Sequence, residues 1–365
     1  MKQKLFYLIL FFGLGTSYAQ EAIDSTLTSE ELQFRDSIAA INSANAQLQW
    51  IQETYNKATS LFKQEDFSSA IELFQKVIEV DSANSDAHFN KGLAHKELKE
   101  YSQAFIHLEQ SYQINLEYFE ALFQQAKCFE EQKDYSKALE AYDRLLAVDP
   151  SRSEAAYNKG LIYYLDKNYS QAIKSYTQAI AINPNYAYAL NDRASCYRVI
   201  QEYDKAISDY TKALQSDPQA FIYNNLASAY RKIGRIDQAL ESYTKAIQQD
   251  ANYEMAYNNR GTVYFEQENF DLALKDFKKA LEINSQYPMA LCNRAAVYHL
   301  NENYSAALAD LELAVKLQPN NATALLNRGI TREMLRNIDG ACEDWQKAYN
   351  LGLEKGKDYY INNCE

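Results

Sequence analysis

An alanine that recurs at an almost constant interval constrains the fold of this chain more than any other feature of its sequence. The interval is 34 residues in seven of eight cases and 33 residues in the other. The column consists of Ala70, Ala104, Ala138, Ala172, Ala206, Ala239, Ala273, Ala307 and Ala341. A second column of small residues keeps the same interval and consists of Ala58, Gly92, Ala126, Gly160, Ala194, Ala227, Gly261, Ala295 and Gly329. A chain with an internal period of this length folds as a stack of similar units rather than around a single core.

Each unit predicts a pair of antiparallel helices. Residues 153–186 carry apolar and small side chains every three or four positions in two runs, which a polar turn at 166–168 separates. Gly160 and Ala172 lack bulk where the two helices would cross, and Pro184 ends the second helix. One such hairpin cannot bury its own apolar face, so we expect each unit to pack against its neighbours.

These features resemble the tetratricopeptide repeat (TPR) family, over nine units from Ile51 to about Leu353. The units span residues 51–84, 85–118, 119–152, 153–186, 187–219, 220–253, 254–287, 288–321 and 322–353. The resemblance implies an all-α, right-handed superhelical solenoid whose first helices line a concave groove. We number repeat positions from the first residue of each unit. Residues 354–365 are expected to form a capping tail.

The N-terminal 19 residues have the features of a secretory signal peptide. Lys2 and Lys4 precede the apolar run 5–14, and Ser17-Tyr18-Ala19 forms a small-x-small cleavage site before Gln20. The apolar run is too short to span a bilayer. A signal ending in Ala-Gln is similar to those of Bacteroidota. We therefore expect a periplasmic or extracellular protein, which a partner could hold at the outer membrane.

Residues 20–50 lie outside the 34-residue register and are predicted to be a polar linker with a capping helix. Ser29 would be the N-cap, and Leu32, Ile38 and Ile41 would cover the first repeat. The segments 24–26 and 36–38 resemble short O-glycosylation acceptors of Bacteroidota, although an ordinary polar linker explains them equally well.

Charge excludes one class of partner. The formal net charge is −12 and the sequence pI is about 5.0. A nucleic-acid-binding protein would be expected to carry a basic stripe, and the sequence has none. We therefore expect protein or peptide partners and no nucleic acid. No apolar run after residue 19 is long enough to cross a membrane, so no membrane span is expected in the mature chain.

Repeat position 6 is the most regular of the positions that the family places in the groove. It holds Asn56, Asn90, Gln124, Asn158, Asp192, Asn225, Asn259, Asn293 and Asn327. Asparagine is a mediocre helix former, so its recurrence requires a reason. An amide donates and accepts hydrogen bonds, which suits an extended peptide backbone. The alternative is that these side chains bond neighbouring units or water. The aromatic residues Tyr157, Tyr188 and Phe221 would add apolar pockets to the groove.

Arginine at position 7 and aspartate at position 23 occur together in four units and in no other. The pairs are Arg193 with Asp209, Arg260 with Asp276, Arg294 with Asp310, and Arg328 with Asp344. We predict a structural ion pair between the two helices of each unit, worth at most about 1 kcal/mol if exposed.

Histidines and cysteines give no strong sign of a metal site. His88, His95 and His107 share one unit, but the first two lie about two helical turns apart, so interhelical packing is the favoured interpretation. Cys342 and Cys364 could form a disulfide in an oxidising compartment if the tail folds back, whereas scattered cysteines are otherwise simply buried.

No catalytic or phosphate-binding motif occurs in the sequence, and no cofactor is expected. The pattern favours an exported interaction scaffold that binds an extended polypeptide in the groove. The alternatives are a glycan or small-ligand binder, since amides and tyrosines also suit sugar hydroxyls, and an architectural subunit of an envelope or secretion complex.

Overall fold

The structure is a computed structural model that describes residues 27–364. The predicted signal peptide and the predicted linker as far as residue 26, including the acceptor-like segment 24–26, lie outside the described residues. Residues 27–364 form nineteen helices and no strand, so the all-α prediction is confirmed.

The helices divide between two compact units, which separate at Asp149 and Pro150. The first unit contains α1 (Ser29–Lys63), α2 (Phe67–Val80), α3 (Ser85–Glu97), α4 (Tyr101–Ile114), α5 (Phe119–Glu131) and α6 (Tyr135–Val148). The second begins with α7 (Ser153–Leu165), α8 (Tyr169–Ile182), α9 (Ala187–Val199), α10 (Tyr203–Ser216), α11 (Ala220–Lys232) and α12 (Ile236–Gln249). It continues with α13 (Glu254–Glu266), α14 (Phe270–Ile283), α15 (Pro288–Leu300), α16 (Tyr304–Leu317), α17 (Ala322–Met334), α18 (Ile338–Asn350) and α19 (Glu354–Cys364). Within each of these two compact units, consecutive helices pair as the repeat pattern predicts.

The two small-residue columns let the paired helices approach closely. Gly160 of α7 faces the fully buried ring of Tyr176 on α8, and a Cβ built at Gly160 would lie 2.4 Å from that ring. In the last repeat Gly329 faces the ring of Trp345 in the same way, and a Cβ built at Gly329 would lie 2.4 Å from its Nε1. Each repeat thus buries one large side chain at position 24 against a small one at position 8.

The turn between the two helices of each repeat has a left-handed residue at position 15. Its φ lies between 56° and 75° in all nine repeats. Only the sixth repeat uses glycine there, Gly234, and the others use charged residues or glutamine. The left-handed residue ends the first helix and directs the chain back along it.

The structure differs from the predicted N-terminal capping helix in three respects. Thr28, not Ser29, is the N-cap, and it forms a capping box with Glu31. The helix then continues without a break into the first repeat, because no glycine or proline interrupts residues 29–63. Ile38 and Ile41 are exposed and do not cover the first repeat.

The C-terminal tail folds back onto the last repeat as α19. Its Tyr359 ring packs 5.1 Å from the ring of Trp345, and Gly356 is buried against α18. Cys342 of α18 and Cys364 of α19 form a disulfide bond with a Cα–Cα distance of 5.8 Å. No helix in residues 27–364 is both long and apolar enough to cross a membrane.

Reduction of this disulfide is expected to destabilise the C-terminal end of the array. The bond closes a loop of 22 residues, for which chain entropy predicts a loss of about 3 kcal/mol. Hydrogen exchange with and without reductant would measure the loss in α18 and α19. A Cys342→Ser/Cys364→Ser variant should match the reduced protein and no longer respond to reductant. Equal protection of α19 in both states of the wild type would contradict the expectation.

Candidate functional site

The four arginine–aspartate pairs lie between the helices of their own repeats and are largely buried. Each guanidinium donates two hydrogen bonds to its partner aspartate, one to each carboxylate oxygen, at 2.6–2.9 Å. The aspartates are at most 7% exposed. The limit of about 1 kcal/mol that holds for exposed pairs therefore does not apply here.

Two of these arginines also bond the preceding repeat. Nη1 of Arg193 donates to Oγ1 of Thr177, and Nη1 of Arg260 donates to Oγ1 of Thr244, both at 3.0 Å. Although burial opposes ionisation, the bonds to Asp276 hold the pKa of Arg260 above its ordinary value. The arginines are thus committed to the packing of the repeats and do not form an anion site.

The position-6 column forms hydrogen bonds between successive repeats. In five places the residue at position 6 bonds the residue at position 5 of the preceding repeat, with distances of 2.8–3.1 Å. These pairs are Asn90 with Tyr55, Asp192 with Tyr157, Asn225 with Asn191, Asn259 with Asn224, and Asn293 with Asn258. The column therefore has a structural role in joining the repeats.

A polar group at position 5 decides whether this bond forms. Position 5 is Phe89 before Gln124 and Cys292 before Asn327, and neither supplies a strong acceptor. Gln124 instead bonds Glu120 and Lys96. Asn56 belongs to the first repeat and accepts from Gln52 of its own helix. Asn158 is buried.

Tyr157 is held inside the array rather than displayed on it. Its hydroxyl donates to Oδ2 of Asp192 at 2.9 Å, and its ring packs against Tyr176 and Tyr186. Burial raises the pKa of Tyr157 and also that of the Asp192 carboxyl. Tyr157 therefore contributes to repeat packing.

Position 2 presents an apolar row on four successive first helices. Tyr188, Phe221, Met255 and Met289 form this position-2 row. Tyr188, Met255 and Met289 are 50%, 41% and 54% exposed, and the Tyr188 and Phe221 rings stack with centroids 6.0 Å apart. Large apolar side chains at corresponding sites of adjacent helices are typical of an interaction surface. Of these four residues, Tyr188 and Phe221 are the ones that the sequence predicts as site residues.

A cavity of about 250 Å³ lies among the first helices of the last three repeats. It is lined by Phe265, Ala295, Ala296, His299, Leu300, Leu311, Asn327, Ile330 and Thr331. In the part of the chain that the structure describes, the Asn327 side chain makes no hydrogen bond, since Cys292 stands at position 5 of the preceding repeat. We call this the Asn327 cavity. It combines apolar walls with the unbonded amide of Asn327, as ligand sites combine apolar walls with a few polar groups.

The three histidines of the second repeat form a packed interhelical cluster. Nδ1 of His88 lies 3.4 Å from Nδ1 of His107, and the His95 and His107 rings stack at 5.5 Å. Nδ1 of His95 also lies 2.6 Å from Oε2 of Glu100. Within residues 27–364, no group of histidine, cysteine, aspartate and glutamate side chains is arranged to hold a metal ion.

Acidification below pH about 6.5 is expected to destabilise the first compact unit, which ends at Asp149, through this cluster. Burial lowers the pKa of His107 to about 3, with Lys91 and the other two imidazoles adding to the effect. Since the unfolded imidazole titrates near 6.5, the unfolded state binds more protons below that pH, and stability falls as pH falls towards 3. At pH about 5.5 the free energy of unfolding should be lower by about 1 kcal/mol.

Thermal melting of wild type and a His107→Asn variant at pH about 7.5 and 5.5 would measure this loss. The variant should lose less stability than the wild type on acidification. Glu109 does not affect the comparison. Its hydrogen bonds with Arg144 hold its pKa at about 2, so the stability that it contributes is lost only at pH values below both of those measured. An equal loss in both proteins would contradict the assignment to His107.

Tetratricopeptide repeat models match most of the repeated region. The matches cover residues 55–115, 123–187, 187–219, 227–268, 255–287 and 300–350, more than half of the chain. The chain therefore belongs to the tetratricopeptide repeat family. A comparison with curated proteins finds no match.

Solved structures support the same fold. The chain is similar to PilF of Pseudomonas aeruginosa, with 24% identity and a TM-score of 0.52 over 59% of this chain and 98% of PilF. A tetratricopeptide repeat protein of Parabacteroides merdae is 20% identical, with a TM-score of 0.55 over 68% of this chain and 99% of that one. A chain of the APC/C hetero-tetramer Cut9–Hcn1 is 15% identical, with a TM-score of 0.56 over 86% of this chain and 76% of that one. At these identities the similarity concerns the fold.

Proposed function

We propose that this protein is an exported, non-catalytic scaffold that binds an extended segment of another protein on its first helices. The tetratricopeptide repeat fold supports a role in protein–protein interaction at the general level. The position-2 row carries the finer proposal, since it lies on four successive repeats and three of its four side chains are exposed. A row that crosses several helices suits an elongated ligand better than a compact one.

The position-6 column would lie beneath such a ligand as part of the binding floor. At least one donor hydrogen of Asn225, Asn259 and Asn293 bonds the preceding repeat. The column would therefore offer a ligand mainly its remaining polar atoms. The Asn327 cavity would accept an apolar side chain of the ligand, with the Asn327 amide free to bond its backbone.

Thioethers in the row favour a polypeptide over a glycan. Sugar rings stack on exposed aromatic faces, whereas Met255 and Met289 are flexible and adapt to irregular apolar side chains. Binding of oligosaccharides but not peptides to the purified protein would support the glycan alternative.

The proposed surface can be tested with peptides selected from a random display library on the full-length protein. A Met255→Glu/Met289→Glu variant should weaken binding of the selected peptides at least about tenfold, or about 1.4 kcal/mol. The matched control is Leu272→Glu/Leu313→Glu, which places the same charges at exposed leucines of second helices α14 and α16. Equal affinity of the wild type and the methionine variant would overturn the proposal.

Export is proposed from the N-terminal sequence and from the disulfide. Disulfides persist in oxidising compartments outside the cytosol, and Cys342 and Cys364 form one here. The N-terminus of the protein isolated from its source cells should be Gln20. An isolated protein that retains Met1 and both thiols would contradict export.

A further inference from the structure

The first 22 residues of α1 form a helical extension that precedes the first repeat. No residue from 29 to 50 is buried within the described structure, and Ala58 is the one buried residue of α1. Large apolar side chains nevertheless recur along this extension. Phe34, Ile38, Ile41 and Leu48 are 51%, 37%, 58% and 64% exposed.

The spacing of these residues is that of a coiled-coil seam. Phe34, Ile38, Ile41, Asn45 and Leu48 follow one another at alternating intervals of four and three residues. Heptad notation places Ile38 and Asn45 at a, and Phe34, Ile41 and Leu48 at d. Between residues 39 and 47 the outer b, c and f positions hold small or polar residues, whereas Leu32 at b and Trp50 at f are apolar, and Trp50 is 41% exposed.

We propose that this seam pairs with the same seam of a second copy of the chain, in a parallel, two-stranded coiled coil. Asn45 identifies the partner and the register. In a parallel in-register pair each Asn45 amide meets its own counterpart, so donor and acceptor are matched. A staggered or antiparallel pair would bury that amide against an apolar side chain and leave it unbonded.

Charges at the edge of the seam agree with this arrangement. Glu30 at g and Arg35 at e are five residues apart, the separation at which opposite charges meet across a parallel pair. Arg35 also bonds Oδ1 of Asp36 on its own helix, at 2.8–3.0 Å.

The association is tested by measuring the molar mass of the full-length protein with light scattering after size exclusion. Wild type should have twice the mass of a single chain. An Ile38→Glu/Ile41→Glu variant should have the mass of one chain and keep the helix content, because both residues are exposed and outside the repeats. The matched control Ala39→Glu/Ala40→Glu carries the same charges on the outer face and should remain a dimer.

A wild type of single-chain mass would overturn the proposal, and so would a dimer that survives Ile38→Glu/Ile41→Glu. The first result would leave the seam to be covered by residues 1–26 or by a different protein. The test is independent of the proposed peptide surface, which lies in the second unit.

Orientation is tested by oxidative cross-linking of an Asn45→Cys variant. Parallel in-register pairing brings the two new thiols together, so a covalent dimer should form, whereas Ala40→Cys on the outer face should give none. Wild type treated in the same way gives the background from Cys292. A dimer that cross-links through Ala40→Cys and not through Asn45→Cys would overturn the parallel arrangement.

Discussion

A Trp345→Ala variant is expected to lose about 3–5 kcal/mol of stability in the last repeat. Trp345 is fully buried, packs against Tyr359 of α19, and approaches Gly329 so closely that a Cβ there would lie 2.4 Å from Nε1. Truncation would remove the side chain that joins α17, α18 and α19. Hydrogen exchange of these three helices would localise the loss, since each repeat contributes its own stability.

Trp345→Phe is the matched control. In residues 27–364 the indole Nε1 has no hydrogen-bond partner, so phenylalanine loses volume and no bond. We expect it to cost less than half as much as alanine. Unchanged protection of α17–α19 in the alanine variant would contradict the packing described for this end of the array.

An Asp276→Ala variant is expected to lose about 3–5 kcal/mol, because it leaves the Arg260 guanidinium enclosed without its carboxylate. Asp276 is 3% exposed, and Arg260 bonds both of its oxygens. Equilibrium unfolding in urea, followed by hydrogen exchange of α13 and α14, would measure the loss.

Two further variants distinguish the cost of an unpaired buried charge from the loss of an ion pair as such. Arg260→Met/Asp276→Leu replaces the pair by apolar side chains and should recover most of the stability. Glu282→Gln disrupts the exposed Lys279–Glu282 pair and should cost at most about 0.5 kcal/mol. A loss in Asp276→Ala no larger than in Glu282→Gln would show that the carboxylate is not a buried partner.

The sequence predicted the fold well because its period fixes which residues face each other. The co-occurrence of arginine at position 7 and aspartate at position 23 is enough to predict the pairs from sequence. It did not reveal their burial, which depends on the neighbouring repeat, including the Thr177 and Thr244 hydroxyls.

Long-range and local backbone effects explain what the sequence did not predict. The left-handed turn residues are charged or glutamine in eight repeats, so no glycine marks them. The unbroken α1 was missed because its helical propensity continues across the start of the repeat register. The partner of the position-6 column was open from sequence, although polar residues at position 5 of the preceding repeats were a usable signal.

Whether the first-helix surface binds its ligand through the position-2 row or through the asparagine column is the central question. One paired measurement answers it, namely the stability and peptide affinity of Met255→Glu/Met289→Glu and of Asn225→Ala/Asn259→Ala/Asn293→Ala, each compared with wild type. The methionine variant should keep its stability and lose affinity about tenfold or more. The asparagine variant should lose stability, since each amide bonds the preceding repeat, and lose less affinity for the peptide than the methionine variant while folded. The reverse result, with full stability and lost binding in the asparagine variant, would contradict the account and assign the peptide to the amide column.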